Sequence, residues 1–459
     1  MQNKNDVEQQ NKTGIDNVLY GPETTKAMSN FTISDIKMPR AFLWALGEIK
    51  CACAQANNAL DLLGAEQTDA IKQAAKAIAD GLYDEQFPVD VFQTGSGTST
   101  NMNANEVIAT LVELNTKGNV SVHPNDHVNM GQSSNDIIPS CIHISAAKLI
   151  SDNLLPSLMH LRDTLDSKAK KHATTIKTGR THLMDAMPLS FEHEISAWSS
   201  QINHAYQQLN NALPSLLKLA IGGTAIGTGV NTHPDFSKKV TEYLSQQTQL
   251  NFQPADNYFH AISAQDTAVF VSGILKTTAI SISKISNDLR WLSSGPINGL
   301  NEIQLVELQK GSSIMPGKVN PVIPEAVLMG CTQVIGNDAT ISLAGHSGNF
   351  QLNTMLPLIG HTLVQSIEIL SQCARSLADK AIRDFSINYA KVEENLAKNP
   401  ILATALNELI GYDKSAEIAK TAYAENRTVL DVAIEMTELS ESTLKSRLDP
   451  SFLINNRKR

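Results

Sequence analysis

The sequence predicts a mainly α-helical protein organised around a long helical bundle, and three observations carry that expectation. Apolar residues recur every three or four positions over long segments. Alternating strand patterns are scarce, and polar, Gly-rich blocks fall between the periodic segments. At 459 residues, with 42% apolar and 18% charged residues, the chain is long enough for a large core or several domains and has the balance of a folded protein.

The N-terminal run MQNKNDVEQQNKTG has neither an apolar core nor the Arg-rich character of a targeting peptide, so a cytoplasmic protein is expected. The blocks QTGSGTSTNMNANE (93–106) and VHPNDHVNMGQSSND (122–136) then lead into the strongest helical region. From Ile137 to His172 the pattern reads as one long helix, kinked at Pro156, with Leu154, Leu158, Leu161 and Leu165 on its buried face. TGRTHLMDAMP (178–188) and GGTAIGTGVN (222–231) interrupt the helical pattern next. Ile282, Ile285, Leu289 and Leu292 form another stripe, and Leu363, Ile367 and Leu370 a third, on either side of KGSSIMPGKVNPVIPE (310–325). The longest stretch free of Asp, Glu, Lys and Arg, Ala339 to Ile367, carries His346, Asn349, Gln351, Asn353 and His361 and is not a membrane span. Asn399-Pro400 marks a change to a shorter, charge-richer tail. The expected domains are 1–134, a central long-helix bundle at 135–389, and a small helical domain at 390–459.

Lys and Arg number 37 against 46 Asp and Glu, a net charge of −9, and no basic stripe with interleaved aromatics is present, so nucleic acid is not an expected partner. Cys51, Cys53, Cys141, Cys331 and Cys373 match no zinc or iron-sulfur spacing and read as reduced thiols. The segment Gly311 to Lys318 fails as a phosphate loop, because five residues separate its glycines, Pro316 intervenes and Val319 stands at the magnesium-binding position. Block 93–100 has Gly95 and Gly97 but Thr100 where a dinucleotide fingerprint needs glycine. Neither a cofactor nor a metal is expected.

What these blocks offer is donors for an anion. Ser312 and Ser313 sit beside Gly311, followed by the cation Lys318 and the amide Asn320, a set able to close over a carboxylate. Ser96 and Thr98, then Ser133, Ser134 and Asn135, then Thr181 and His182, repeat the theme beside glycines or helix starts. His182 shares its block with Arg180 and Asp185 and is a candidate acid-base group.

The run GSSIMPGKVNP resembles the signature of the fumarase/aspartase superfamily, and TGSGTSTNMNANEVIA, HPNDHVNMGQSSND, GRTHLMDAMPL and GGTAIGTGVN resemble its other blocks in their usual order. Within it the chain most resembles the class II, iron-independent fumarate hydratases. The resemblance implies three domains, a long central helical bundle and a homotetramer whose sites draw on three subunits. It implies Ser312 as the base for the C3 proton of malate, His182 as the partner that activates water, and Glu325 as a further residue important for activity. Ser96, Gly97, Thr98, Ser133, Ser134, Asn135, Thr181, Ser313, Lys318, Val319 and Asn320 are implied to bind substrate. His123, Pro124, Asn125 and Asp126 match a second dicarboxylate site. Three positions depart from the pattern. Gln309 stands where family members often carry a Glu able to orient the histidine, with Glu307 nearby; Lys26 stands for an Arg; and Val120 replaces a basic residue near the second site.

Aspartate ammonia-lyase is the alternative enzyme, although those enzymes usually carry Gln at the position of His182. A non-catalytic helical scaffold is the alternative outside enzymology. Helix length bears on assembly: at about 1.5 Å per residue, a helix from Ile137 to His172 spans roughly 50 Å, so Asn135 and His182 meet one small substrate only in an oligomer.

Overall fold

The computed structural model describes residues 18–454, so the N-terminal run read above for targeting signals lies outside the described residues. The helices named here, in chain order, are α1 (Pro22–Asn30), α2 (Arg40–Ala59), α3 (Ala65–Ala79), α4 (Thr98–Thr116), α5 (Ser134–Leu149), α6 (Leu155–Lys171), α7 (Phe191–Leu216), α8 (Phe236–Thr248), α9 (Asp266–Leu292), α10 (Val322–His346), α11 (Leu356–Leu377) and α12 (Tyr389–Ala397). After α12 come α13 (Tyr412–Glu425), α14 (Val429–Met436) and α15 (Glu441–Leu448). Strands among the described residues form four two-stranded pairs, of which β1 (Ile176–Thr181) and β2 (Met184–Ser190) are the longest.

The described residues divide into two compact units. The first runs to Pro156 and adds Gln207–Thr277 and Thr332–Ser371. In it α2 packs against α3, α5 and α8, and α1 against α4. The second comprises Ser157–Tyr206, Thr278–Cys331 and the residues from Gln372 onward. It carries the β1–β2 hairpin, which packs against α12.

Each periodic stripe is buried as expected. Leu154, Leu158, Leu161 and Leu165 are inaccessible, as are Ile282, Ile285, Leu289, Leu363, Ile367 and Leu370. Burial of each such side chain contributes about 1.5–3 kcal/mol. Residues 134–171 form one helical run, but its irregularity differs from a simple kink at Pro156. A π-helical turn, Ile150–Leu154, ends two residues before the proline. Proline has no N–H for the preceding turn and its ring crowds that carbonyl, and the wider turn absorbs both effects without ending the helix.

α9 and α10 bury one face and leave large apolar side chains uncovered on the other. On α9, Phe270, Ile280 and Trp291 are each more than half exposed, and they alternate with Gly273, Thr277, Lys284 and Asn287 at steps of three and four. α10 carries Met329 and Leu343 at 70% and 72% exposure, on the side that also presents Gly336 and Ala339. Large apolar side chains left uncovered along a helix offer a surface for further packing. α9 is also long and apolar enough to cross a membrane by length and composition alone, but Leu275, Ala279, Ile282, Ile285 and Leu289 make its other face a packed core stripe.

A separate small core lies near the C-terminus, where Leu402, Leu406, Ile418, Val429, Val432, Leu444 and Leu448 pack together. Asn399, Thr428 and Ser440 begin its helical turns by accepting hydrogen bonds from backbone N–H groups one or more residues ahead. All five cysteines are free and buried.

Candidate active site

In the first unit, α4 begins at Gly97, whose φ of 72° is open to glycine at no cost and whose missing side chain lets Ile138 pack against it. This brings the 93–100 block against α5. Ser96 and Thr98 hydroxyls lie 2.8 Å apart at the start of α4. Ser133 caps α5, accepting the Asn135 N–H at 3.2 Å, while Asp136 accepts the Ser133 N–H at 2.9 Å. The Asn101 side-chain amide donates to Ser134 Oγ at 3.1 Å and joins the two blocks. Asp136 Oδ2 also accepts from the backbone of Gly222 (3.0 Å) and Thr224 (2.8 Å), and Asn135 donates its side-chain N–H to the Ala225 carbonyl (2.8 Å). Three separate polar blocks of the sequence therefore converge on the N-terminus of one helix, where the helix dipole favours an anion.

In the second unit, the block 178–188 is an antiparallel hairpin, which the sequence reading did not anticipate. Thr181 pairs with Met184, leaving His182 and Leu183 as the two turn residues, at φ of 56° and 60°. Both angles lie in the left-handed region that two-residue hairpin turns demand and usually assign to Asn and Gly. A leucine pays strain there, and buried charges at the hairpin's base hold the strand that leads to it. Lys177, 1% exposed, bonds Glu194 at 2.9 Å and Glu302 at 2.7 Å, and Arg180 bonds Glu302 at 2.5 Å. Asn399 donates to the Ala186 carbonyl at 2.8 Å on the other strand. His182 is thereby held exposed at the hairpin tip, beside Leu183 at 65% and Met184 at 69% exposure.

The 311–320 loop has a closed form of its own. Asn320 Nδ2 donates to the Gly311 carbonyl at 2.6 Å, drawing the two ends of the loop together. Ser312 Oγ accepts backbone N–H groups from Ile314 (3.2 Å) and Met315 (3.0 Å). Two donors aimed at one hydroxyl oxygen favour its deprotonated form. Ser313 and Lys318 are exposed, and Lys318, Val319 and Asn320 border a cavity of about 670 Å³ with Arg290 and Trp291. Glu325 lies exposed in the first turn of α10.

Ser96, Gly97, Thr98, Ser133, Ser134 and Asn135 thus form one group, Thr181 and His182 a second, and Ser312, Ser313, Lys318, Val319, Asn320 and Glu325 a third. No hydrogen bond or ion pair among the described residues joins His182 to Ser312, Lys318 or Asn320, and neither Glu307 nor Gln309 bonds it. His123 accepts the N–H groups of Asn125 (3.3 Å) and Asp126 (3.2 Å) in a π-helical turn. His123, Pro124 and Asn125 line a cavity of about 490 Å³ together with Glu23, Glu106, Glu113 and Val120, and no Lys or Arg borders it.

A family model described as "Lyase" matches residues 11–336, and one described as "Fumarase C C-terminus" matches residues 402–455. A relative named "Fumarate hydratase class II 2", from Pseudomonas aeruginosa, is 54% identical over 95% of this chain and 94% of its own. "Fumarate hydratase class II" from Mycobacterium tuberculosis is 46% identical over 94% of this chain and 91% of its own. The crystal structure of recombinant class II fumarase from Schistosoma mansoni superposes with a TM-score of 0.93 at 37% identity, covering 97% of both chains. The chain belongs to the class II fumarate hydratase family.

For a member of that family, the sequence reading missed the buried charges that shape the site. Asp136 had a signal, because it closes a Ser-x-x-Asp box ahead of an apolar run. Lys50 sits, with Glu48, in the otherwise apolar run ALGEIKCACA, which was a weaker one. Nothing local distinguishes Lys177 or Glu302 from surface charges.

Proposed function

We propose that the chain hydrates fumarate reversibly to (S)-malate by anti addition of water, with Ser312 as the base and His182 as the group that activates water. The observation that carries the assignment of Ser312 is the pair of N–H groups directed at its Oγ. A serine hydroxyl is a poor base at its ordinary acidity, and those donors, with Lys318 in the same loop, stabilise the alkoxide it must become. In the direction of dehydration, Ser312 takes the C3 proton of malate and the electron pair moves into the adjacent carboxylate, giving a dianionic aci-carboxylate. Lys318, Asn320 and Ser313 hold that charge. Collapse of the intermediate forms the double bond and expels the C2 hydroxyl, which leaves as water with a proton supplied through His182. Ser96, Thr98, Ser133, Ser134, Asn135 and Thr181 hold the carboxylates, and Glu325 supports activity from α10. The chemistry calls for no cofactor and no metal.

The same reading makes the enzyme a cytoplasmic homotetramer with each site assembled from three subunits. Three features support it. The helical run 134–171 is nearly 60 Å long at about 1.5 Å per residue, with Asn135 at its start and His182 following its end. α9 and α10 each leave large apolar side chains uncovered. The tip beside His182 is apolar and exposed.

Fumarate absorbs in the ultraviolet, whereas malate and aspartate do not, so one absorbance assay tests the reaction. Malate should give fumarate without added metal and in the presence of a chelator, and L-aspartate should give none. Faster turnover of aspartate, or loss of activity to the chelator, would overturn the reading. Ser312→Ala should lower kcat and kcat/KM together by on the order of 10² to 10⁴. A variant with near-normal kcat removes Ser312 from the role of base.

A further inference from the structure

Lys50 lies in the middle of α2 with no exposed surface. Its ammonium donates to Asn129 Oδ1 at 3.0 Å and Gln132 Oε1 at 2.8 Å, and no carboxylate among the described residues lies within ion-pair distance of it. Both acceptors belong to the loop that delivers Ser133 to the start of α5. Asn129 Oδ1 also accepts from Asn101 Nδ2 at 3.2 Å, the same amide that donates to Ser134 Oγ. The charge nearest in kind is the buried carboxylate of Asp136, occupied by its three backbone N–H donors. The other titratable groups facing Lys50 are the thiols of Cys53 and Cys141, which burial keeps protonated.

We infer that Lys50 is a positioning residue for the dicarboxylate: it fixes the Ser133–Asn135 block from beneath and offsets the charge of Asp136, so that the start of α5 presents net positive potential to a substrate carboxylate. This rests on the proposal that the block binds substrate. A buried ammonium held by two neutral amides is costly, and an anion arriving at the helix start lowers that cost. Burial pulls Lys50 down to about 8 and lifts Asp136 to about 6, so between those values both are charged and their fields oppose. Above about pH 8 Lys50 loses its proton, and Asp136 then faces the substrate alone. A bound dianion favours the charged ammonium, so binding draws a proton onto the protein near that pH.

The test measures KM for fumarate, the inhibition constant of succinate and kcat from pH 6 to 9.5 in the unsubstituted enzyme and in Lys50→Met, Lys50→Arg and Asn135→Ala. Lys50→Met should raise KM and the succinate constant about tenfold at pH 7, with the smaller change in kcat. It should also abolish the rise in KM expected of the unsubstituted enzyme above pH 8, and Lys50→Arg should restore affinity while moving that rise to higher pH. If Lys50→Met does not fold, calorimetry of succinate binding to the unsubstituted enzyme, in buffers of different ionisation enthalpy, decides the matter. Proton uptake greatest near pH 8 supports the inference, and its absence overturns it. A folded Lys50→Met enzyme with unchanged KM, or with kcat and KM altered alike at every pH, also overturns it. Asn135→Ala separates the two readings: unchanged KM there removes the block from substrate binding, whereas raised KM there with unchanged KM in Lys50→Met leaves the block in place and removes only Lys50.

Discussion

Replacing Gly311 by alanine tests whether the closed form of the 311–320 loop is what places Lys318 and Asn320 for catalysis. A Cβ at residue 311 overlaps the Lys318 carbonyl oxygen and lies 2.7 Å from its carbon, whereas ordinary contact begins at 3.4 Å. The obstacle is backbone and cannot swing aside, so the segment carrying Lys318 and Asn320, whose carbonyl oxygen at residue 318 stands 1.8 Å from that Cβ, must retreat by more than about 1 Å. The Asn320 to Gly311 hydrogen bond of 2.6 Å lengthens with it. Misplacement of catalytic groups by about 1 Å costs on the order of 10²-fold, so kcat/KM should fall between about tenfold and a hundredfold. The loop is largely exposed, so the melting temperature should move little. Initial rates from the ultraviolet absorbance of fumarate supply the measurement. Gly317→Ala is the control, because its Cβ meets nothing within 4 Å and suffers only from a φ of 77°, worth about 1 kcal/mol. A Gly311→Ala enzyme within threefold of the unsubstituted one would refute the reasoning.

Other expectations follow from the same features. Inactive Ser312→Ala and His182→Asn chains, unfolded together in equal amounts and refolded, should regain activity in roughly a quarter of sites by random assortment, and proven hybrids as inactive as either parent would disprove shared sites. Leu343→Glu puts a charge on the uncovered stripe of α10 and should dissociate the assembly in sedimentation; an intact tetramer would show that the stripe faces solvent. Asp136, raised to about 6 by burial against about 3.9 unfolded, binds more protons in the native state between those values. Its contribution to stability is therefore complete below about pH 4 and is lost as pH rises through 6. The stability difference between the unsubstituted protein and Asp136→Asn should fall by about 2–3 kcal/mol over that range, and a flat difference in urea titrations would contradict the buried charge.

The sequence by itself determined the helices and their buried faces, because the period of apolar residues is a local property that any packing partner must respect. Leu154, Leu158, Leu161 and Leu165 point inward whichever element covers them. It also marked the polar blocks, since runs such as TGSGTST and GSSIMPGK have too little apolar surface to be core and too many donors to be idle. Only the tertiary structure decided what those blocks become. The hairpin around His182 was illegible because its turn residues are His and Leu, and what secures the strand entering that turn is Glu302, more than a hundred residues away, gripping Lys177 and Arg180. The kink at Pro156 became a π-helical turn because the run on both sides is held by packing. Lys50 and Asp136 are ordinary charges in the sequence. They acquire meaning only when α2, α5 and the 222–225 backbone close over them, since the cost and the reach of a charge depend on what excludes water from it.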